Sequence, residues 1–157
     1  MSVMMVGCAT TSKTVYEEET IQLIGEWTIG FTFQSGEVEK TLKEGKVDSL
    51  SITRTGRNPK DLELKDEIFY RLKDKHSINL NKASSDKAGR ILLHPIYFTK
   101  GYTGNFQSCT VTIVDAQDNT LARLKVKNGD RNATFKDDDA FARYLADSIA
   151  KSITKKP

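Results

Sequence analysis

The clearest strand pattern in the chain lies near its N-terminus, where Leu23, Gly25, Trp27, Ile29, Phe31 and Phe33 alternate with Ile24, Glu26, Thr28, Gly30 and Thr32. A period of two places alternate side chains on opposite faces, so this stretch predicts a half-buried strand. Gln34-Ser35-Gly36-Glu37 supplies turn residues, and Val38 to Leu42 can pair back as a short, more polar strand. Val47 to Thr53 reads as a further strand, with Leu50 and Ile52 leading its apolar content and β-branched Thr53 extending it.

The period then changes. Pro59 follows Asn58 at a helix start, and Leu64, Ile68 and Leu72 recur every four residues with Phe69 beside them, predicting an amphipathic helix over about Asp61 to Lys73. Ile78 and Leu80 form a brief extended segment. Ile91 to Phe98 is a continuous apolar run of strand length, which predicts burial on both faces, with Pro95 marking an edge or a bulge. Phe106 to Val114 and Thr120 to Val126 alternate around Asp115-Ala116-Gln117-Asp118-Asn119, the signature of a β-hairpin. The last element is a helix in which Phe141, Leu145, Ile149 and Ile153 repeat every four residues. Asp137-Asp138-Asp139 precede it and Lys151, Lys155 and Lys156 follow, matching the two ends of the helix dipole.

These elements define an α+β fold: one mainly antiparallel sheet of about five to six strands packed against two amphipathic helices. At 157 residues the chain suits one domain, placed at residues 20–157 behind a flexible segment at 1–19. The hydrophobic fraction of 38% and charged fraction of 29% are those of a globular body. Twenty-four Lys and Arg against 21 Asp and Glu leave a net charge of only +3, with the two signs mixed along most of the chain. That argues against nucleic acid as the main partner, which wants a concentrated basic face.

The segment at 1–19 carries the one motif with a chemical mechanism. Val3-Met4-Met5-Val6-Gly7-Cys8-Ala9-Thr10-Thr11-Ser12 resembles a bacterial lipobox, in which an apolar stretch ends in a small residue directly before a cysteine. The resemblance implies that the Cys8 sulfur receives a diacylglycerol, that cleavage makes Cys8 the first residue, and that the protein is held at a membrane of the cell envelope, facing the periplasm or the cell surface. Met5 stands where leucine is usual, and neither a basic n-region nor a full apolar core precedes Cys8, which predicts a start codon further upstream. A polar Thr/Ser tether and the acidic Glu17, Glu18 and Glu19 come next. Cys109 is the only other cysteine, so lipidation of Cys8 leaves no disulfide for the domain. Together with Cys8, the order strand, helix, strand, strand, strand, helix over Val47 to Ile153 resembles small envelope lipoproteins in which one antiparallel sheet packs on two helices. That loose group includes the curli-secretion and lipopolysaccharide-assembly lipoproteins. The resemblance is one of layout and implies no catalytic residue.

Catalytic candidates are few. His76 and His94 belong to no ligand motif; a helix C-terminus accounts for His76 and a hydrogen-bonded structural role for His94. No nucleophile elbow, P-loop or dinucleotide-binding glycine pattern occurs. Cys109 alternates with Val111 and Ile113 as a buried core residue does. The three adjacent aspartates point in different directions on a helix and cannot share one metal ion. No catalytic residue, metal site or cofactor is assigned.

A binding loop is the alternative chemistry. In Tyr97-Phe98-Thr99-Lys100-Gly101-Tyr102-Thr103-Gly104-Asn105-Phe106, aromatics interleave with glycines between two strands, so Lys100, Tyr102 and Asn105 are candidates for contacting a sugar or a partner protein. The plainer account, a hairpin whose aromatics fold back on the core, stays open. The sequence therefore reads as a non-enzymatic accessory or interaction module of the cell envelope, with the membrane and another envelope protein or glycan as partners. A glycan-binding or hydrolytic envelope protein with a site assembled only in three dimensions is the second reading.

Overall fold

A computed structural model describes residues 10–32, 37–43, 46–54, 59–83, 85–97, 106–127 and 138–154. Among them, in chain order, are β1 (Thr10–Val15), α1 (Glu18–Leu23), β2 (Trp27–Phe31), β3 (Glu37–Lys43), β4 (Lys46–Arg54), α2 (Pro59–Asp74), β5 (Gly89–Tyr97), β6 (Phe106–Val114), β7 (Thr120–Lys127) and α3 (Asp138–Ile153). Five strands form one sheet in the order β1-β7-β6-β5-β2, while β3 and β4 pair antiparallel as a separate two-stranded sheet. The α+β class is as the sequence predicts. Three of the four strand pairs in the main sheet are antiparallel, and β2 runs parallel to β5. A parallel neighbour needs a crossover, which the chain between β2 and β5 provides through α2.

The core is built on one face of that sheet. Ile91 and Leu93 from β5, Cys109, Val111 and Ile113 from β6, and Ala122, Leu124 and Val126 from β7 are all buried. They meet Leu64, Ile68, Phe69 and Leu72 of α2 and the Phe141, Leu145, Ile149 and Ile153 row of α3, where Ala142, Ala146 and Ala150 let the helix approach closely. Both helical periodicities thus do what the sequence predicts. Asp138 and Asp139 occupy the first turn of α3 and Lys151 its last, as the dipole favours.

Four expectations change. Residues 10–19 are not a tether: Thr10 to Val15 pair in register with Lys127 to Ala122, and Glu18 and Glu19 open α1. The pairing is made through main-chain groups, so an edge strand can form from a polar stretch that carries no apolar alternation. The strand predicted from Leu23 starts only at Trp27, because Leu23 ends α1, buried through Ile21 with Leu23 itself 85% exposed. The helices among the described residues number three rather than two. Finally, β5 is not buried on both faces: Ile91, Leu93 and Pro95 are buried, whereas Leu92, His94 and Ile96 are only partly covered. The same register explains Pro95. Positions 89, 91 and 93 turn their main-chain groups toward β2, and Pro95 is the next position of that series, beyond the last β2–β5 pair among the described residues, so its missing N–H breaks none of the described pairs.

The β6–β7 turn is closed by Asp115. Its Oδ1 accepts from the main-chain N–H of Gln117 and of Asn119 (2.9 Å each), and its Oδ2 accepts from Asn119 Nδ2 (2.9 Å). Asp118 takes the left-handed conformation (φ 69°) that this short-sided-chain residue tolerates. At the start of β5, Gly89 faces Trp27 so closely that a Cβ there would lie 2.6 Å from the indole Cζ3. The glycine is required by that approach.

Candidate functional site

The residues singled out for binding chemistry, Cys8, Lys100, Tyr102 and Asn105, lie outside the described residues. So does Asp137, while Asp138 and Asp139 sit in the first turn of α3. Among the described residues no group of three or more His, Cys, Asp or Glu is placed to hold a metal ion. Cys109 is fully buried in the core, as its alternation predicts.

The two histidines belong to different places. His94 Nδ1 shares a hydrogen bond with Thr32 Oγ1 at 2.7 Å, the structural role expected of it. His76 is better explained by a partner than by the helix end alone. The chain leaves α2 through Lys75 and His76, Ser77 adopts φ 54°, and the Ile78 N–H reaches back to the Leu72 carbonyl at 3.1 Å. This turn brings His76 Nε2 within 2.6 Å of Asp147 Oδ1 on α3. Arg71 donates to the same carboxylate through Nε (2.9 Å, Oδ1) and Nη2 (3.0 Å, Oδ2), and Lys75 Nζ lies 3.6 Å from Oδ2.

Asp147 is therefore the hub of a clasp between α2 and α3. The Arg71 hydrogen bonds outweigh the opposing effect of partial burial and, with the His76 hydrogen bond and the charges of Arg71 and Lys75, hold its carboxyl far below the ordinary carboxylate range. A carboxylate so fully engaged is a poor general base, since its proton affinity is spent on fixed cations. Sequence reading missed the clasp because its members are 71 to 76 residues apart on the polar sides of two amphipathic helices.

Concave surface among the described residues includes one broad region. A broad depression of about 640 Å³ runs between the end of α1, Glu26, Asn79, Lys87 and the Asp115–Gln117 turn. Two of its polar side chains are engaged: Glu26 accepts from Asn81 Nδ2 (2.8 Å) and from Ser85 Oγ, and Asn79 Nδ2 donates to the Gly25 carbonyl (3.1 Å). Asp115, held below its ordinary value first by Asn119, is turn architecture. No nucleophile and base converge there.

Two surfaces stand out among the described residues. The first is the edge at β1, with no strand on its far side among the described residues. Residues 11–15 are exposed, and the neighbouring Tyr16 and Leu23 are large exposed apolar side chains. The opposite edge is partly covered, since the Trp27 N–H donates to the Asn79 carbonyl and the Asn81 N–H donates to the Trp27 carbonyl (2.9 Å each). The second is the face of the main sheet away from α2 and α3. The register aligns Arg123 with Thr14 and Thr112, Lys125 with Ser12 and Thr110, and Lys127 with Thr10 and Ser108 on that face.

Fold and surface together define a mixed five-stranded α+β domain with helices on one face and an open edge on the other side of the sheet from β2. A solved structure is similar to it: the PelC dodecamer from Paraburkholderia phytofirmans (TM-score 0.53, 6% identity, 95% of this chain and 100% of that one). A leucine-to-methionine variant of the same dodecamer is similar as well (TM-score 0.52, 7% identity, 94% of this chain and 100% of that one). At such identity the likeness is one of fold alone. The chain matches no family model and no curated protein by sequence.

Proposed function

We propose that this protein is a lipid-anchored accessory module of the bacterial cell envelope, held at the membrane through Cys8 and acting by contact rather than by catalysis. The observation that carries the reading is the position of the open edge. β1 begins at Thr10, two residues after the lipobox-like cysteine, and among the described residues has no strand on its far side, beside the exposed Val15, Tyr16 and Leu23. An exposed edge is a template for adding a further strand, and exposed apolar side chains beside it favour a protein partner. Both similar structures are dodecamers, so a second copy of this chain is the first partner to test.

The test places a photo-crosslinking side chain at Ser12 or Thr14 in the full-length protein in its native cell, with Lys151 on α3 as the comparison. Adducts of defined mass at the β1 positions, absent at Lys151, are expected. Identical adduct patterns at all three positions, or none, would overturn the assignment of β1 as the contact edge.

A further inference from the structure

We propose that the outward face of β7, formed by Arg123, Lys125 and Lys127, docks on the anionic lipid headgroups of the membrane that holds Cys8. The inference deepens the lipid-anchor reading and rests on it for orientation. Alternate residues of a strand point to one face and repeat about every 6.8 Å, so the three cations form a row about 14 Å long. All three are exposed. Their cross-strand neighbours in the register are serine and threonine, and the positions of β1, β6 and β5 sharing this face include no carboxylate. Among the described residues no acidic side chain pairs with any of the three, in contrast to Arg90 on the same face, which is bound by Asp118.

The charges are also ordered along the strand. Lys127 pairs with Thr10, where the chain enters from Cys8, and two residues of chain span at most about 7 Å. Two acidic segments lie at the other end of β7, while Asp138 and Asp139 open α3 on the opposite face of the sheet. Asp115 and Asp118 form the turn that leads into β7, and the Tyr16 and Glu17 N–H groups both bond the Leu121 carbonyl, placing the start of the Glu17–Glu19 run there. An anionic surface lying along the outward face of β7 therefore meets three cations with no carboxylate at the register positions beside them. The row's length exceeds the ~8 Å screening distance at physiological salt, so all three cations act only when the face lies flat on the membrane. A polybasic patch also supplies the second signal that makes acyl anchoring stable.

The test uses the full chain with Cys8→Ser, so that binding is read without the acyl group. Co-sedimentation with vesicles of phosphatidylglycerol and phosphatidylethanolamine is compared with pure phosphatidylcholine vesicles at low and physiological salt. Each cation near an anionic surface contributes about fivefold in partition, so Arg123→Gln/Lys125→Gln/Lys127→Gln should weaken binding about a hundredfold. Lys82→Gln/Lys87→Gln/Lys151→Gln removes the same charge from other surfaces and should change it little. Circular dichroism confirms folding, and if the triple variant fails to fold, the single variants Lys125→Gln and Lys127→Gln should each show about the fivefold loss. Equal losses in the two triple variants, or binding indifferent to phosphatidylglycerol, would overturn the proposal. Because Cys8 is absent from the assay, such a failure leaves the acylation of Cys8 to be judged by its own measurement.

Discussion

Replacing Asp147 by Asn keeps the shape of the α2–α3 clasp but removes the charge that Arg71, His76 and Lys75 share. Its side chain is 31% exposed, and those of Arg71 and His76 are 24% and 23% exposed, between a surface ion pair and a buried one. Exposed pairs contribute about 0.2–1 kcal/mol. Hydrogen bonds to charged groups contribute about 1.5–3 kcal/mol. The bidentate geometry of Arg71 and the added His76 contact put this site near the overlap, about 2 kcal/mol after allowing for solvent screening. For a domain of this size that lowers Tm by about 4–8 °C at neutral pH. The dependence on pH has a definite sign. The folded-state pKa of Asp147 is depressed, so the unfolded chain binds the proton first as pH falls, and the stabilisation, fully present above the unfolded value of about 3.9, is lost progressively below it. Thermal unfolding followed by circular dichroism across pH 2 to 7 should therefore show the two proteins far apart at neutral pH and converging in acid. A constant gap across that range, or no gap at pH 7, would refute the clasp as an electrostatic device.

Two further outcomes follow from packing. Gly89→Ala sets a methyl group against the Trp27 ring and 3.0 Å from Ile24 Cγ2, and overpacking of this kind should cost about 1–3 kcal/mol in urea unfolding. An unchanged midpoint would mean that the indole shifts freely. Cys109 is fully buried, so in the Cys8→Ser protein it should react with a thiol reagent only after denaturant is added; rapid labelling of the folded protein would contradict its place in the core.

The α2 and α3 helices and the β6–β7 hairpin were legible because each buries one face, which leaves a period in the sequence that burial of Phe141, Leu145, Ile149 and Ile153 then matches. The β1 strand left no such trace. Its side chains are exposed and its stability comes from the Val126 to Ala122 backbone and neighbouring pairs, so Thr11 to Thr14 look like linker. The α1 helix was hidden by its single buried residue, Ile21, and by the alternation of Leu23 with later residues of β2. Glu17 to Glu19, which follow the membrane signal in sequence, belong to the start of that helix instead. The Asp147 clasp depends on the angle at which α2 meets α3, which no local pattern encodes. The row of Arg123, Lys125 and Lys127 was visible as alternation with Leu124 and Val126. Net charge concealed it, because the balancing carboxylates lie elsewhere on the fold.

Every functional statement above depends on how the domain is held. Intact-mass analysis of the protein extracted from membranes of its native cell, expressed from the complete gene, tests that most directly. The account predicts a mature chain beginning at Cys8 and carrying the mass of a diacylglycerol on its sulfur, released to the soluble fraction by Cys8→Ser. A chain that keeps residues 1–7, bears an unmodified Cys8 and fractionates away from membranes would contradict it.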